Sequence, residues 1–349
     1  MRQSTKLCTP VSVFRVVASS KMCPVHQMQS IAEAIGAPEN SEDLAPALEA
    51  ERWPLTMPVS VIIPVRNEAH NLRRCLESLR GAGEIFVIDS QSTDGTAEIA
   101  RSFGAEVLQF RYSGGWPKKR QWALDTLPLR NEWVLLLDAD EALPPELVSE
   151  IARAIQNPEI DGYYIGLEMI FLGRRLRHSG AMFHKLSLFR HAKGRLECRA
   201  QDQDTSMCDM EVHEHVIVNG ATGKLKQSII HRNVESLSRY IQKHNEYSNW
   251  EARVWNERSR PDEISPAFFG TQAQRRRWLR KMFFRWPGSP VLFFFYKYVM
   301  CLGFLDGVPG QVYCGLQAVQ FFHIKAKIYE SKLLPASYSP ASQLSAAKD

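Results

Sequence analysis

The run Trp133-Val134-Leu135-Leu136-Leu137 leads directly into Asp138-Ala139-Asp140-Glu141, three carboxylates within four positions. Five apolar residues without a polar break read as a strand buried on both faces of a parallel sheet. In a strand, Asp138 and Asp140 would sit two apart and project to the same side. Two hard oxygen donors there, with no His or Cys close by in sequence, suit Mg²⁺ or Mn²⁺ better than Zn²⁺. The competing reading is local. Asp140 or Glu141 would cap a helix starting near Pro144-Pro145, where acids are favoured. The stretch alone leaves both readings open.

The elements around it must decide. The chain has 349 residues, 44% hydrophobic and 23% charged, an ordinary globular composition with room for a sizeable core. A net charge of +5 is too small to imply nucleic acid, and no nucleic-acid partner is expected. Seven cysteines, an odd number without a Cys-x-x-Cys pair, argue for a reduced, cytoplasmic setting. The apolar patch at 11–17 is interrupted by Arg15 and lacks a cleavage site, so no signal peptide is expected.

Residues 1–57 hold no sustained period and are expected to form a poorly ordered extension. From there strands and helices alternate. A buried strand at 59–65 is followed by Arg66-Asn67-Glu68 and a helix carrying Leu72, Cys75, Leu76 and Leu79. A second strand at 85–88 ends in Asp89, and a polar turn with Ser92 and Asp94 leads into a helix at 96–103. A strand at 106–108, a helix at 118–127, the strand at 133–137 and a helix at 144–155 complete the series. Such alternation predicts an α/β fold, a Rossmann-like, mostly parallel, right-handed sheet. Neither G-x-G-x-x-G after the first strand nor G-x-x-x-x-G-K-[ST] occurs, which removes the dinucleotide and P-loop readings.

From Gly162 the pattern changes to mixed strands at 163–169, 186–189, 213–218 and 225–231, the last two separated by an Asn219-Gly220 turn. A helix follows at 236–255. Then Arg275-Arg276-Arg277, Arg280, Lys281 and Arg285 precede an apolar, aromatic stretch at 290–305, and a second apolar segment at 312–329 ends in Lys325 and Lys327. The stretch is shorter than the ~20 residues that span a bilayer. Basic residues beside it predict attachment to an anionic membrane surface, against the alternative of a buried helical pair. The expected organisation is 1–57 extension, 58–256 catalytic domain, 257–333 helical membrane-associating region and 334–349 disordered tail.

Three strand ends thus carry suitable groups on one sheet edge: 64–68, Asp89 with Asp94, and Asp138 with Asp140. Open α/β sheets bind ligands at that edge. A nucleotide with its divalent cation would explain all three. The cations Lys118-Lys119-Arg120, after a glycine turn at 114–115, would suit diphosphate charge, or simply begin a basic surface helix.

Val61-Ile62-Ile63-Pro64-Val65-Arg66-Asn67-Glu68, then Val87-Ile88-Asp89-Ser90-Gln91-Ser92-Thr93-Asp94-Gly95-Thr96, then Leu137-Asp138-Ala139-Asp140-Glu141 resemble a family 2 glycosyltransferase of the GT-A fold. Leu186-Ser187-Leu188-Phe189-Arg190, Val212-His213-Glu214, Ile230-His231 and the 240–248 stretch are similar to the lipopolysaccharide core β-1,4-glucosyltransferase branch. The resemblance implies inverting transfer of a hexose from a nucleoside-diphosphate sugar, a UDP-hexose first among them, to a hydroxyl of a bacterial glycan or glycolipid. It places the enzyme in the cytoplasm, peripheral to the inner membrane. It implies a nucleotide-sugar pocket of Pro64, Arg66, Asn67, Glu68, Asp89, Ser92, Asp94, Lys119 and Asp138. It also implies a Mg²⁺ or Mn²⁺ site of Asp138, Asp140 and His231, and a general base at Glu214, with Glu211 second. The alternatives are a sugar-nucleotidyltransferase, which needs a Gly-rich phosphate loop absent here, and a catalytically silent glycan- or lipid-binding protein.

Overall fold

The structure, a computed structural model, describes residues 56–180, 182–198, 214–232, 236–256, 264–270 and 272–333. Glu211 and the segment before Glu214 lie outside them, as does almost all of the expected 1–57 extension. The chain from Pro54 onward forms one unit.

In chain order the first half runs β1 (Met57–Val65), α1 (Ala69–Glu77), β2 (Ala82–Asp89), α2 (Thr96–Ser102), β3 (Glu106–Gln109), α3 (Lys119–Thr126), β4 (Trp133–Leu136), β5 (Glu141–Ala142) and α4 (Pro145–Ala154). The second half runs β6 (Gly162–Phe171), β7 (Arg174–Arg175), β8 (Phe183–Arg190), β9 (Gly194–Leu196), β10 (Val216–Val218), β11 (Thr222–Arg232), α5 (Leu237–Asn256), α6 (Gln272–Arg285), α7 (Ser289–Phe295) and α8 (Gly307–Leu333). The main sheet is ordered β3-β2-β1-β4-β8-β6-β11-β5. β1 to β4 are parallel, and the pairs β4–β8 and β8–β6 are antiparallel. β11 returns parallel to β6. The mixed α/β sheet expected from the sequence is therefore present.

Both faces of the sheet are buried, as the unbroken apolar runs require. Along β1, Val59, Val61 and Ile63 enter one core with the α1 residues Leu72, Cys75 and Leu76. Ile62 enters the opposite core, with Ala123 and Leu124 of α3. β4 divides the same way, Trp133 and Leu135 against Val134 and Leu136. This period of two holds the register, because a one-residue slip would exchange the cores.

Only residues 137–140 link β4 to β5, although three strands lie between them in the sheet. At about 4.8 Å per strand step a flat sheet would separate them by roughly 19 Å, more than a turn of this length covers. The sheet therefore curls on itself, and the linking turn crosses the edge at which β4, β6 and β11 end.

The two strands expected on either side of Asn219-Gly220 are β10 and β11, but they do not pair with each other; β10 pairs with β9, and β11 with β6 and β5. The turn dipeptide reverses the chain, and the longer strand finds a better partner in the buried β6.

Beyond the sheet, α5 packs along α8. Tyr240 and Tyr313 enclose Phe171 edge-on, while Ala252, Phe284, Ile324 and Ile328 form a second small core. His244 stacks on Tyr240 with ring centroids 3.8 Å apart and contacts the Tyr240 carbonyl through Nδ1 at 2.9 Å. Burial, outweighing that carbonyl and reinforced by nearby Lys243, pushes its pKa down to about 4. The unfolded imidazole takes up a proton below about 6.5, the folded one only below about 4. Stability is therefore expected to fall as pH drops through that window. His244→Gln should flatten the fall, as urea titrations at pH 7 and pH 4.5 would register; equal slopes in both proteins would contradict it.

No single described helix is long and apolar enough to cross a membrane. The bent pair Ser289–Met300 and Gly303–Leu333, angled at 71°, passes the length and composition test together. Several basic residues of this region face the protein. Arg277 pairs with Glu197, Arg280 with Glu251 at 2.8 Å, and Lys327 bonds Asn245 Oδ1 at 2.7 Å and Ser248 Oγ at 2.6 Å. The exposed face is apolar instead: Val291, Phe295, Val299, Met300 and Val308 are each about half exposed or more.

Candidate active site

The parallel strands β2, β1 and β4 lie side by side and end on one edge, and β11 ends on the same edge. Their carboxyl ends bring together residues 64–68, Asp89, the 138–140 turn and His231.

The first two ends are stitched to each other. Asn67 adopts φ +54, a left-handed conformation that Asn tolerates, and its backbone N–H donates to Ser92 Oγ at 2.8 Å. Its side-chain carbonyl accepts from Thr93 N at 2.9 Å. Glu68 N donates to Thr96 Oγ1 at 3.0 Å and Ala69 N to Asp94 Oδ2 at 3.1 Å. Asp89, fully buried, accepts from Ser92 N at 3.0 Å and Oγ at 2.5 Å, and from Gln109 Nε2 at 2.8 Å. Ser92, Asp94 and Asn67 thus hold the two loops in shape. Slight burial raises the Asp94 carboxyl, but bonds from Thr96 and Ala69 outweigh it and hold it below the usual range. Pro64 lies on β1 opposite Ile88, and Arg66 is exposed just past the strand. Burial raises the Glu68 carboxyl, which accepts from Asn71 Nδ2 at 2.9 Å.

Asp138 and Asp140 do not share a strand face. β4 stops at Leu136, and residues 138–141 turn, closed by Glu141 N to Asp138 O at 2.9 Å. The carboxylates therefore meet different partners. Asp138 is ion-paired to Arg120 through Oδ1 and to Lys185 through Oδ2 at 3.0 Å. Burial alone would raise its pKa, but these two cations drive it far below the usual range. Asp140 meets His231 Nε2 at 3.0 Å, and its main-chain carbonyl accepts from Arg74 at 2.8 Å. Burial opposes both charges of that pair, yet each stabilises the other: Asp140 is lowered and His231 raised.

Glu141 is not a helix cap, since α4 is entered through Pro144. It lies buried on β5, accepts the Asp138 N–H at 2.9 Å and approaches Lys185 at 3.4 Å. It shapes the turn. Burial, despite Lys185, raises its pKa.

The basic triplet divides its labour. Lys119 is buried and donates to the Val65 carbonyl at 2.9 Å, securing α3 beneath the β1 end rather than facing a diphosphate. Arg120 is the member that reaches Asp138. Lys118 is fully buried, with its ammonium 3.8 Å from the Trp250 ring centroid and 3.3 Å from Glu214 Oε1. The Glu214 side chain is enclosed as well. Sequence reasoning missed Lys185 and Arg74 as site residues, and it named Arg120 only as one of three cations without singling it out.

Among the described residues, no three His, Cys, Asp or Glu side chains converge as a preformed metal cage. Mg²⁺ does not need one, because it is held by one or two carboxylates together with substrate phosphates and water. Asp140 fits that donor set, with His231 against it. Asp138 offers a second carboxylate on the same turn, ion-paired to Arg120 and Lys185.

Residues 60–215 match the family model Glycosyl transferase family 2. The chain carries a family 2 glycosyltransferase domain. The lipopolysaccharide core biosynthesis glycosyltransferase LpsC of Rhizobium meliloti is 27% identical over 296 residues, covering 80% of this chain and 95% of LpsC. An uncharacterized glycosyltransferase of Rickettsia conorii is 29% identical over 209 residues, 57% of this chain and 71% of its own. Among solved structures, the mannosyltransferase PcManGT of Pyrobaculum calidifontis, in complex with GDP-Man and Mn²⁺, aligns at 15% identity with a TM-score of 0.46. That alignment covers 87% of this chain and 99% of PcManGT. The matched residues contain most of β1, all of β2 to β9, and every site residue described above except His231 and Trp250 of α5.

Proposed function

We propose that the protein is an inverting hexosyltransferase acting on a nucleoside-diphosphate sugar, with a hydroxyl of a bacterial surface glycan or glycolipid as acceptor. The observation that carries this reading is the meeting of the β1, β2, β4 and β11 ends on one edge. They present Glu68, Asp89, Asp138, Asp140 and His231 together. The 64–68 loop and Asp89 receive the nucleoside, and the 138–140 turn lies where the diphosphate would follow.

Inversion needs a single displacement. The acceptor oxygen bonds to the anomeric carbon as the carbon–oxygen bond to the diphosphate breaks with its electron pair, and the hydroxyl proton passes to a base. Glu214 is assigned that base, exchanging Lys118 for the acceptor hydroxyl. Asp138 and Asp140 would hold Mg²⁺ or Mn²⁺, with His231 beside them; bound there, the ion would neutralise diphosphate charge. Arg120 and Lys185 already stand at the turn and offer charge-assisted hydrogen bonds to the departing phosphates.

Release of nucleoside diphosphate from a panel of sugar nucleotides, with and without a lipopolysaccharide-derived acceptor, tests the reading. Acceptor-dependent release giving a product of opposite anomeric configuration supports it, and retention of configuration overturns it.

The exposed apolar face of 291–308 supports peripheral attachment to the cytoplasmic face of the inner membrane. Val, Phe and Met on that face are about half exposed or more, and burying such side chains in the interface is favourable. Wild-type protein is expected to float with anionic liposomes, and Met300→Glu with Val308→Glu should abolish flotation. A wild-type protein that stays in the soluble fraction would reject the attachment.

A further inference from the structure

A narrow cleft opens beside the 138–140 turn, lined by Glu68 and Asp140 on one wall and by cations on the other. The cations come from the end of β11 and one face of α5: Arg232, Arg239 and Lys243. Arg239 and Lys243 stand four apart, one turn, on α5, and Tyr240 of the same helix and Ser236 just before it line the cleft beside them. Both basic α5 residues approach the wall opposite. Arg239 donates to the Asn67 main-chain carbonyl at 3.2 Å, in the loop assigned to the nucleoside. Lys243 is bonded by Tyr247 and lies in the field of Asp140 and Glu68, which, with Tyr247, outweigh burial and raise its pKa. Arg232 extends from the residue whose backbone N–H donates to the Asp140 carbonyl at 3.1 Å.

A solvated basic face would serve a helix equally well if it pointed outward. This one points into the cleft between the two acids on which the nucleotide reading rests. Glu68 and Asp140 together would repel a diphosphate, and cations lining the same cleft offset that repulsion. The α5 residues lie beyond the 60–215 stretch matched by the glycosyltransferase family, so this wall is a contribution of the C-terminal half.

We propose that Arg239 and Lys243 of α5 form a cationic clamp on the diphosphate of the nucleotide sugar, adding to the charge that Arg120 and Lys185 bring to the turn. The clamp rests on the nucleotide-sugar reading and adds a consequence. Because α5 is packed along α8, the C-terminal helices take part in holding the donor, and the glycosyltransferase domain alone supplies only half of the phosphate charge.

Binding of UDP and of GDP, each with Mn²⁺, to the full chain tests this by calorimetry. Uridine and guanosine serve as ligands lacking phosphate. Arg239→Ala with Lys243→Ala is expected to weaken the diphosphate that binds wild type by tenfold or more. Its nucleoside should change less than twofold, and Arg239→Lys with Lys243→Arg should recover most of the loss. Arg239→Gln alone, a smaller change, should give a partial loss should the double variant fold poorly. A wild-type protein that binds neither diphosphate would sink the nucleotide reading itself. A wild type that binds one, with folded variants binding it within twofold, would overturn the clamp alone. Equal losses for diphosphate and nucleoside would also overturn it, since they would mark a distorted pocket rather than a lost phosphate contact.

Discussion

Asp138→Asn is expected to lower the rate of transfer by about a hundred- to a thousandfold, the size of effect seen when one preorganised electrostatic group is removed. The substitution keeps shape and removes charge. In the wild type, Asp138 fixes Arg120 and Lys185 at the sheet edge, and Glu141 supports the turn from behind. Without the carboxylate, Lys185 keeps its pair with Glu141, at 3.4 Å, and Arg120 loses its pair with Asp138. The cations that would meet the departing phosphates are then no longer held in place. Removing a hydrogen bond to a charged group costs about 1.5–3 kcal/mol, so the melting temperature should also drop. Rates must therefore be compared below the variant's own transition. Asp138→Asn with unchanged turnover would remove the turn from the reaction.

Glu214→Gln is expected to cost transfer about a hundred- to ten-thousandfold, as the loss of a general base does. It also leaves the Lys118 ammonium buried against Trp250 without its carboxylate, and breaking such a pair from one side typically costs 3–5 kcal/mol. A loss of activity in this variant alone is thus ambiguous between chemistry and folding. Combining it with Lys118→Met resolves the ambiguity, because replacing both members of a buried pair is often neutral. The double variant should regain the stability of the wild type and remain inactive. If it regains activity as well, Glu214 serves only to neutralise Lys118, and the base lies elsewhere.

Much of the site could be read from the chain because its placement depends on short-range pattern. The apolar runs ending at Val65, Asp89 and Leu137 had to be buried parallel strands, and parallel strands end on a common edge. The fate of the carboxylates beyond those ends could not be read in the same way. Continuing the strand through Asp138 and Asp140 predicted a shared face, whereas the chain leaves β4 at Leu136 to cross the curled sheet, and the two acids turn toward different partners. Those partners come from 18, 47 and 91 residues away, Arg120, Lys185 and His231; His231 announced itself through a motif, Arg120 only as one of a basic triplet, and Lys185 not at all. Within 118–120 the sequence offered three equivalent cations. Only the helix geometry of α3 shows that Lys119 turns inward to a carbonyl while Arg120 reaches the turn. The basic residues of 275–285 and 325–327 were legible as charge but not as direction, since several are spent on pairs that dock the C-terminal helices.

The most direct measurement is a thermal-shift screen of sugar nucleotides with Mn²⁺ on wild-type protein and on Asp138→Asn. A ligand present at a hundred times its dissociation constant stabilises the folded state by about 2.7 kcal/mol, enough to move the melting temperature of a domain this size by several degrees. The expected result is that at least one sugar nucleotide raises the wild-type melting temperature while the variant stays within error of its ligand-free value. No shift with any of them, or equal shifts in the two proteins, would contradict a nucleotide-sugar site at the ends of β1, β2 and β4.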